Sequence, residues 1–142
     1  MRTTSALSEV LEPELPALAD EIIEAIRREV PEYARPMRGE FGRGIRTGVV
    51  EALRRFGSGS EESSGVYRAL GRGEHQVGRS LDALQSAYRV GARVAWRRLS
   101  AVAQAAGVPV EEQHALAEGI FAYIDQLAAE SVEGYAEAQA EQ

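Results

Sequence analysis

Ser80-Leu81-Asp82-Ala83-Leu84-Gln85-Ser86-Ala87-Tyr88-Arg89-Val90-Gly91-Ala92-Arg93-Val94-Ala95-Trp96-Arg97-Arg98-Leu99 is the stretch on which the fold turns. On a helical wheel of about 100° per residue, Leu81, Leu84, Tyr88, Ala92, Ala95, Leu99 and the later Val102 form one apolar stripe. Ala83, Ala87, Val90, Val94 and Ala101 form a second, nearly opposite. A helix apolar on two sides sits at the centre of a bundle, or between its own bundle and a partner subunit. Ser80 supplies an N-cap, and Asp82 places a negative charge in the first turn, where the helix dipole favours it. The helix runs to about Ala106.

Outward from this segment the pattern stays helical. Gly107-Val108-Pro109 separates a fifth helix, whose start is marked by Pro109, Glu111 and Glu112. Its buried stripe is expected to hold Leu116, Ile120, Ile124, Leu127, Ser131 and Tyr135, with the acidic remainder complementing the arginines of the fourth. Upstream, Leu15, Leu18, Ile22, Ile26 and Val30 recur at three and four until Pro31 stops the helix. Phe41, Ile45, Val49, Leu53 and Phe56 repeat the pattern, with Gly39, Gly42, Gly44 and Gly48 suggesting close helix approach or a frayed first turn. Gly57 to Ser64 reads as a loop before a short third helix around Val66, Tyr67 and Leu70. No segment alternates with period two. The expected architecture is all-α, a largely antiparallel bundle of about five main helices in one domain, residues 1–142.

Composition narrows the function. The chain has 142 residues, 44% hydrophobic and 27% charged, the balance of one globular domain. Without cysteine it has no disulfides, thiolate ligands or cysteine nucleophile, and the cytoplasm is the expected compartment. The longest uncharged run, Leu99 to Val110, is far shorter than the ~20 apolar residues of a membrane span. Net charge is −6, and every one of the 16 basic residues is arginine and lies before position 111. Such an acidic chain is a poor phosphate binder, so direct nucleic-acid binding is not expected.

Catalytic signatures are missing. His75 and His114 lack zinc-site spacing, and His114 with Glu118 is a surface pair at most. Gly71-Arg72-Gly73-Glu74 is too short for a dinucleotide fingerprint, and no strand precedes it. No enzyme, metal or cofactor is expected. The sharpest local feature is the group Asp82, Arg89, Arg93 and Trp96, which falls within about 60° of the wheel, with Tyr88 beside it. An arginine fork and a stacking ring suit an anion or a partner surface, whereas an intrahelical row of salt bridges beside a buried tryptophan is the plainer reading. Ala83, Ala87, Val90 and Val94 are the expected interface of a homodimer.

Longer words of the sequence carry a resemblance. Gly71-Arg72-Gly73-Glu74, Gly78-Arg79-Ser80-Leu81-Asp82-Ala83-Leu84 and the run from Ala87 to Leu99 resemble the amino-terminal region of PucR-like transcriptional regulators. Phe121-Ala122-Tyr123-Ile124-Asp125 and Glu130-Ser131-Val132-Glu133-Gly134-Tyr135 extend the match over most of residues 14–140. The domain is also similar to the amino-terminal domain of RsbRD-type co-antagonists of the RsbT kinase, an all-helical input module. The resemblance implies a non-catalytic regulatory domain that relays a signal, from an unidentified small-molecule effector, to a DNA-binding helix-turn-helix outside this chain. The alternative it implies is a dimerisation or docking module with no small ligand. The acidic residues Glu130, Glu133, Glu137 and Glu141 have no local basic partner on their own helix, so the last helix is expected to run on past Gln142.

Overall fold

Each described segment is helical, and the breaks fall where the sequence removes a backbone donor or supplies a glycine. The structure, a computed structural model, describes residues 9–34, 46–54 and 65–141. Helix α1 (Leu15–Glu29) follows a 3-10 turn at Glu12–Glu14. It ends because Val30, forced out of the helical region by the following proline, is extended. A second 3-10 turn, Pro31–Tyr33, folds Tyr33 back into the interior. Helix α2 covers residues 46–54. Then come α3 (Val66–Gln76), α4 (Leu81–Ala105) and α5 (Val110–Ala140). The all-α reading holds. Phe41, Ile45, Phe56, the glycines at 39, 42 and 44, and the 57–64 loop lie outside the described residues.

The two corners around α4 are built alike. After α3, Gly78 takes φ 82°, its N–H bonds to the His75 carbonyl, and the Arg79 N–H reaches back to Glu74. After α4, Gly107 takes φ 76° and Val108 N–H reaches back to Ala103. Both are glycine-dependent C-caps that satisfy the last carbonyls of a helix. Ser80 then caps α4, its Oγ accepting from Ala83 N–H at 3.0 Å, as the sequence indicated. Glu32 fixes this cap from outside, accepting from both Ser80 N–H and Ser80 Oγ.

Helix α4 is the centre. It packs against α1 on one side and α5 on the other. Arg98 pairs with Glu14 and Glu21, and Arg93 with Glu29, so α1 and α4 run antiparallel. Arg93 and Arg98 of α4 therefore find their carboxylates on α1 and the turn before it, not on α5 as the charge pattern suggested. The acidic face of α5 is matched by α3 instead: Arg68 pairs with Glu133 and Glu137, and Arg72 with Glu137 and Glu141. These rungs advance together, so α3 and α5 are a parallel pair within an otherwise antiparallel bundle. The crowding of negative charge at the end of α5 is thus balanced across a helix interface, which removes the charge argument for a helix continuing past Gln142.

The second apolar side of α4 needs the same correction. Ala83, Ala87, Val90 and Val94 are 5, 6, 8 and 4% exposed within the single chain. They belong to one core cluster with Leu18, Ile22 and Ile26 of α1. Two apolar sides mark a central helix here; the chain's own α1 covers the face that was expected to meet a partner subunit.

Candidate functional site

A partly open cavity of about 90 Å³ lies where the five described helices meet. From α4 it is lined by Leu84, Ala87, Tyr88, Gly91, Ala92, Ala95 and Leu99. Ile22 and Ile26 of α1, the 48–53 side of α2, Tyr67 and Leu70 of α3, and the Ile120–Leu127 stretch of α5 complete the wall. Its exposed lining is almost wholly apolar.

Beneath the cavity three helices are tied by one hydroxyl. Ser131 of α5 is fully buried; its Oγ donates to the Tyr67 carbonyl of α3 at 3.1 Å and shares a hydrogen bond with the Tyr88 hydroxyl of α4. The Tyr67 hydroxyl donates to the Gly48 carbonyl of α2 at 3.1 Å. Two tyrosines that wall the cavity are thus anchored to α2 and α5.

A second buried polar group closes the α3–α4 corner. Glu74 is 1% exposed, yet its carboxylate accepts from the Tyr33 hydroxyl at 2.5 Å and from Arg79 Nε at 2.9 Å. The Arg79 guanidinium lies over the Tyr33 ring, 5.6 Å from its centroid. Tyr135 of α5 donates to the Arg79 carbonyl and meets His75 edge to face at 5.0 Å. Burial and the Glu74 carboxylate push the Tyr33 hydroxyl well above the usual phenol range. Burial does the same to Tyr88, with the Ser131 hydrogen bond opposing it.

An alkaline prediction follows. A group whose folded pKa is raised contributes stability that is complete below its unfolded pKa, about 10 for tyrosine. That contribution falls as pH rises from there towards the folded value. Between pH 10 and 11 each tyrosine steepens the loss by up to ~1.4 kcal/mol per pH unit. Urea midpoints measured through this range should fall less steeply in Tyr33→Phe and Tyr88→Phe than in the native chain; equal slopes would place both hydroxyls in solvent.

The residues singled out from sequence divide. Tyr88 lines the cavity. Asp82, Arg89 and Arg93 are exposed on the outside of α4, Arg89 bonded to Ser86 Oγ at 3.0 Å and Arg93 held by Glu29 at 2.5 Å. Trp96 is half-buried and packs on the core. The structure brings the four together as a surface row, apart from the hollow. Glu74, Tyr33 and Tyr67 are the residues missed. Glu74 had a signal: with Tyr67, Leu70 and Gly71 it falls on the three-four stripe of α3, a carboxylate at a core position.

Among the described residues no cluster of three or more His, Asp or Glu could hold a metal ion, and no helix is long and apolar enough to cross a membrane. A family model, the PucR-like N-terminal domain, matches residues 2–142. The chain belongs to this family. No curated protein and no solved structure matches it. The family is one of regulatory domains of transcriptional regulators. In this PucR-like domain the words that carry the resemblance have structural work: Gly71 and Glu74 seat α3, Gly78 and Ser80 turn the chain into α4, and Ser131 and Gly134 seat α5.

Proposed function

We propose that this PucR-like domain is a non-catalytic, cytoplasmic input module that relays a signal to a DNA-binding output domain. The Ser131 node is the observation that carries the reading. It links the cavity-lining Tyr67 and Tyr88 to α5, so a change of packing around the hollow reaches the longest helix of the fold. The surface row of exposed Asp82, Arg89 and Arg93 with half-buried Trp96 is what this reading offers to an effector or the output domain.

Reading the native frame beyond Gln142 is the first test, with a helix-turn-helix expected and a frame that stops there overturning the relay. In the protein so extended, Ser131→Ala should lock transcription of a reporter in one state while leaving the far-ultraviolet circular dichroism unchanged. A reporter that still responds normally would show that the node carries no signal.

A second reading has its own support. Val110, Phe121 and Val132 are exposed and spaced eleven apart, which aligns them along one line of α5. Such a row suits a homodimer or an RsbRD-like docking module with no small ligand. Light scattering at tens of micromolar separates the readings, because Phe121→Asp should dissociate a dimer built on this row.

A further inference from the structure

The cavity at the helix junction holds an observation that the relay alone does not use: small residues line it where close packing does not require them. At Gly71 and Gly134 an added Cβ would strike backbone at 2.0 and 1.9 Å, so glycine is there to let two helices touch. At Gly91 the nearest atom to such a Cβ is Ile22 Cγ2 at 3.6 Å, and at Gly48 it is Leu70 Cδ2 at 3.7 Å, both ordinary contact distances. Gly48 and Gly91, with Ala52, Ala92 and Ala95, therefore leave space without bringing backbones together.

The chemistry of the wall defines what the space accepts. A held water needs two to four polar partners. Three tyrosines line the wall, Tyr67, Tyr88 and Tyr123; the Tyr67 hydroxyl is committed to the Gly48 carbonyl and the Tyr88 hydroxyl to Ser131, so these two present their rings to the cavity. No charged side chain lines the wall. Enclosed apolar cavities stay dry and take up apolar guests, one of ~150 Å³ binding benzene or xenon; this hollow shares their apolar lining and opens partly at the surface. At about 90 Å³ the present cavity suits a smaller guest or the end of a chain.

We propose that the cavity is a binding site for a small, uncharged, apolar ligand of the hydrocarbon class, recognised by shape against the tyrosine rings and the small residues of α2 and α4. The proposal rests on the input-module reading and names its effector class. Filling the hollow presses on Tyr67 and Tyr88, the two side chains that the Gly48 carbonyl and Ser131 hold in place.

Xenon is the probe, applied to the whole domain carrying labelled Ile and Leu methyl groups. Saturable shifts are expected at Ile22, Ile26, Leu53, Leu84, Leu99 and Ile120. No shifts, or shifts confined to the exposed Phe121 row, would overturn the site. Ala92→Leu should abolish the shifts and raise the melting temperature; Ala95→Val, the milder filling to use where the larger side chain prevents folding, should weaken xenon binding several-fold. Xenon binding retained in a folded filled variant would also overturn it. Amide exchange at residues 66–76 and 131–140 is read in the same samples. Binding that leaves this exchange unchanged would keep the ligand site and remove its coupling to α5, so the two claims fail separately.

Discussion

Replacing Gly134 by alanine should destabilise the domain by about 3 kcal/mol, the upper end for overpacking a filled interior. The melting temperature should fall by about 10 °C. The added Cβ would lie 1.9 Å from the Arg68 carbonyl oxygen and 2.8 Å from its carbon. That obstacle is helix backbone, which cannot swing aside as a side chain does, so α3 must move off α5. Gly71→Ala should lose a similar amount, because its Cβ would meet the Ser131 carbonyl oxygen at 2.0 Å. Either substitution parts the same two helices, so the double variant should lose less than the sum. Gly73 provides the control. A Cβ there meets nothing within 4 Å, and alanine is better than glycine inside a helix by about 1 kcal/mol. Gly73→Ala should therefore stabilise the domain. Thermal melts followed by circular dichroism read all three, and losses of equal size at positions 71 and 73 would mean that α3 and α5 do not pack as described.

These opposite signs within one tetrapeptide show where sequence reading stopped. Periodicity of three and four revealed the helices, because burial of a stripe is a local property of each segment. Ser80 and Pro109 were legible for the same reason: a cap or a missing donor acts on its own turn. Pairing between helices was not legible. The arginines of α4 and the glutamates of α5 have complementary charge, yet α4 meets α1 through Arg93 and Arg98, while α3 supplies Arg68 and Arg72 to α5. Charge alone does not choose between partners when each helix has several.

The same limit explains the site. The row Asp82, Arg89, Arg93 and Trp96 was visible because its members share one helix. The cavity draws its wall from five, and its small residues look individually like ordinary helix formers. Gly71 and Gly134 were legible as words of a family and not as contacts, since nothing in either segment names the backbone it will touch. Of the apolar second side of α4, Ala83, Ala87, Val90 and Val94 are buried and Ala101 is exposed, and the cover of the buried four is α1 of the same chain.

Truncating Glu74 to alanine should cost about 3 kcal/mol, the lower end for breaking a buried ion pair from one side, because Arg79 retains some access to solvent. The loss has two parts. Tyr33 is fully buried and its hydroxyl loses the carboxylate that accepts its hydrogen bond; Arg79 loses the charge that draws it onto the α3–α4 corner. Arg79→Ala should cost as much or more, since it leaves the carboxylate of a 1% exposed residue without its cation. Tyr33→Phe removes one hydrogen bond to a charged acceptor and should cost about 2 kcal/mol. The diagnostic measurement is the double variant of Glu74 and Arg79. If the two charges are held for each other, removing both avoids stranding either one, and the double loss should fall well short of the sum, by about 2 kcal/mol, within the range of direct neighbours. Urea titrations of the four proteins give this coupling directly. Additive losses would show that Glu74 and Arg79 act on the corner independently, and that the buried carboxylate is held by Tyr33 alone.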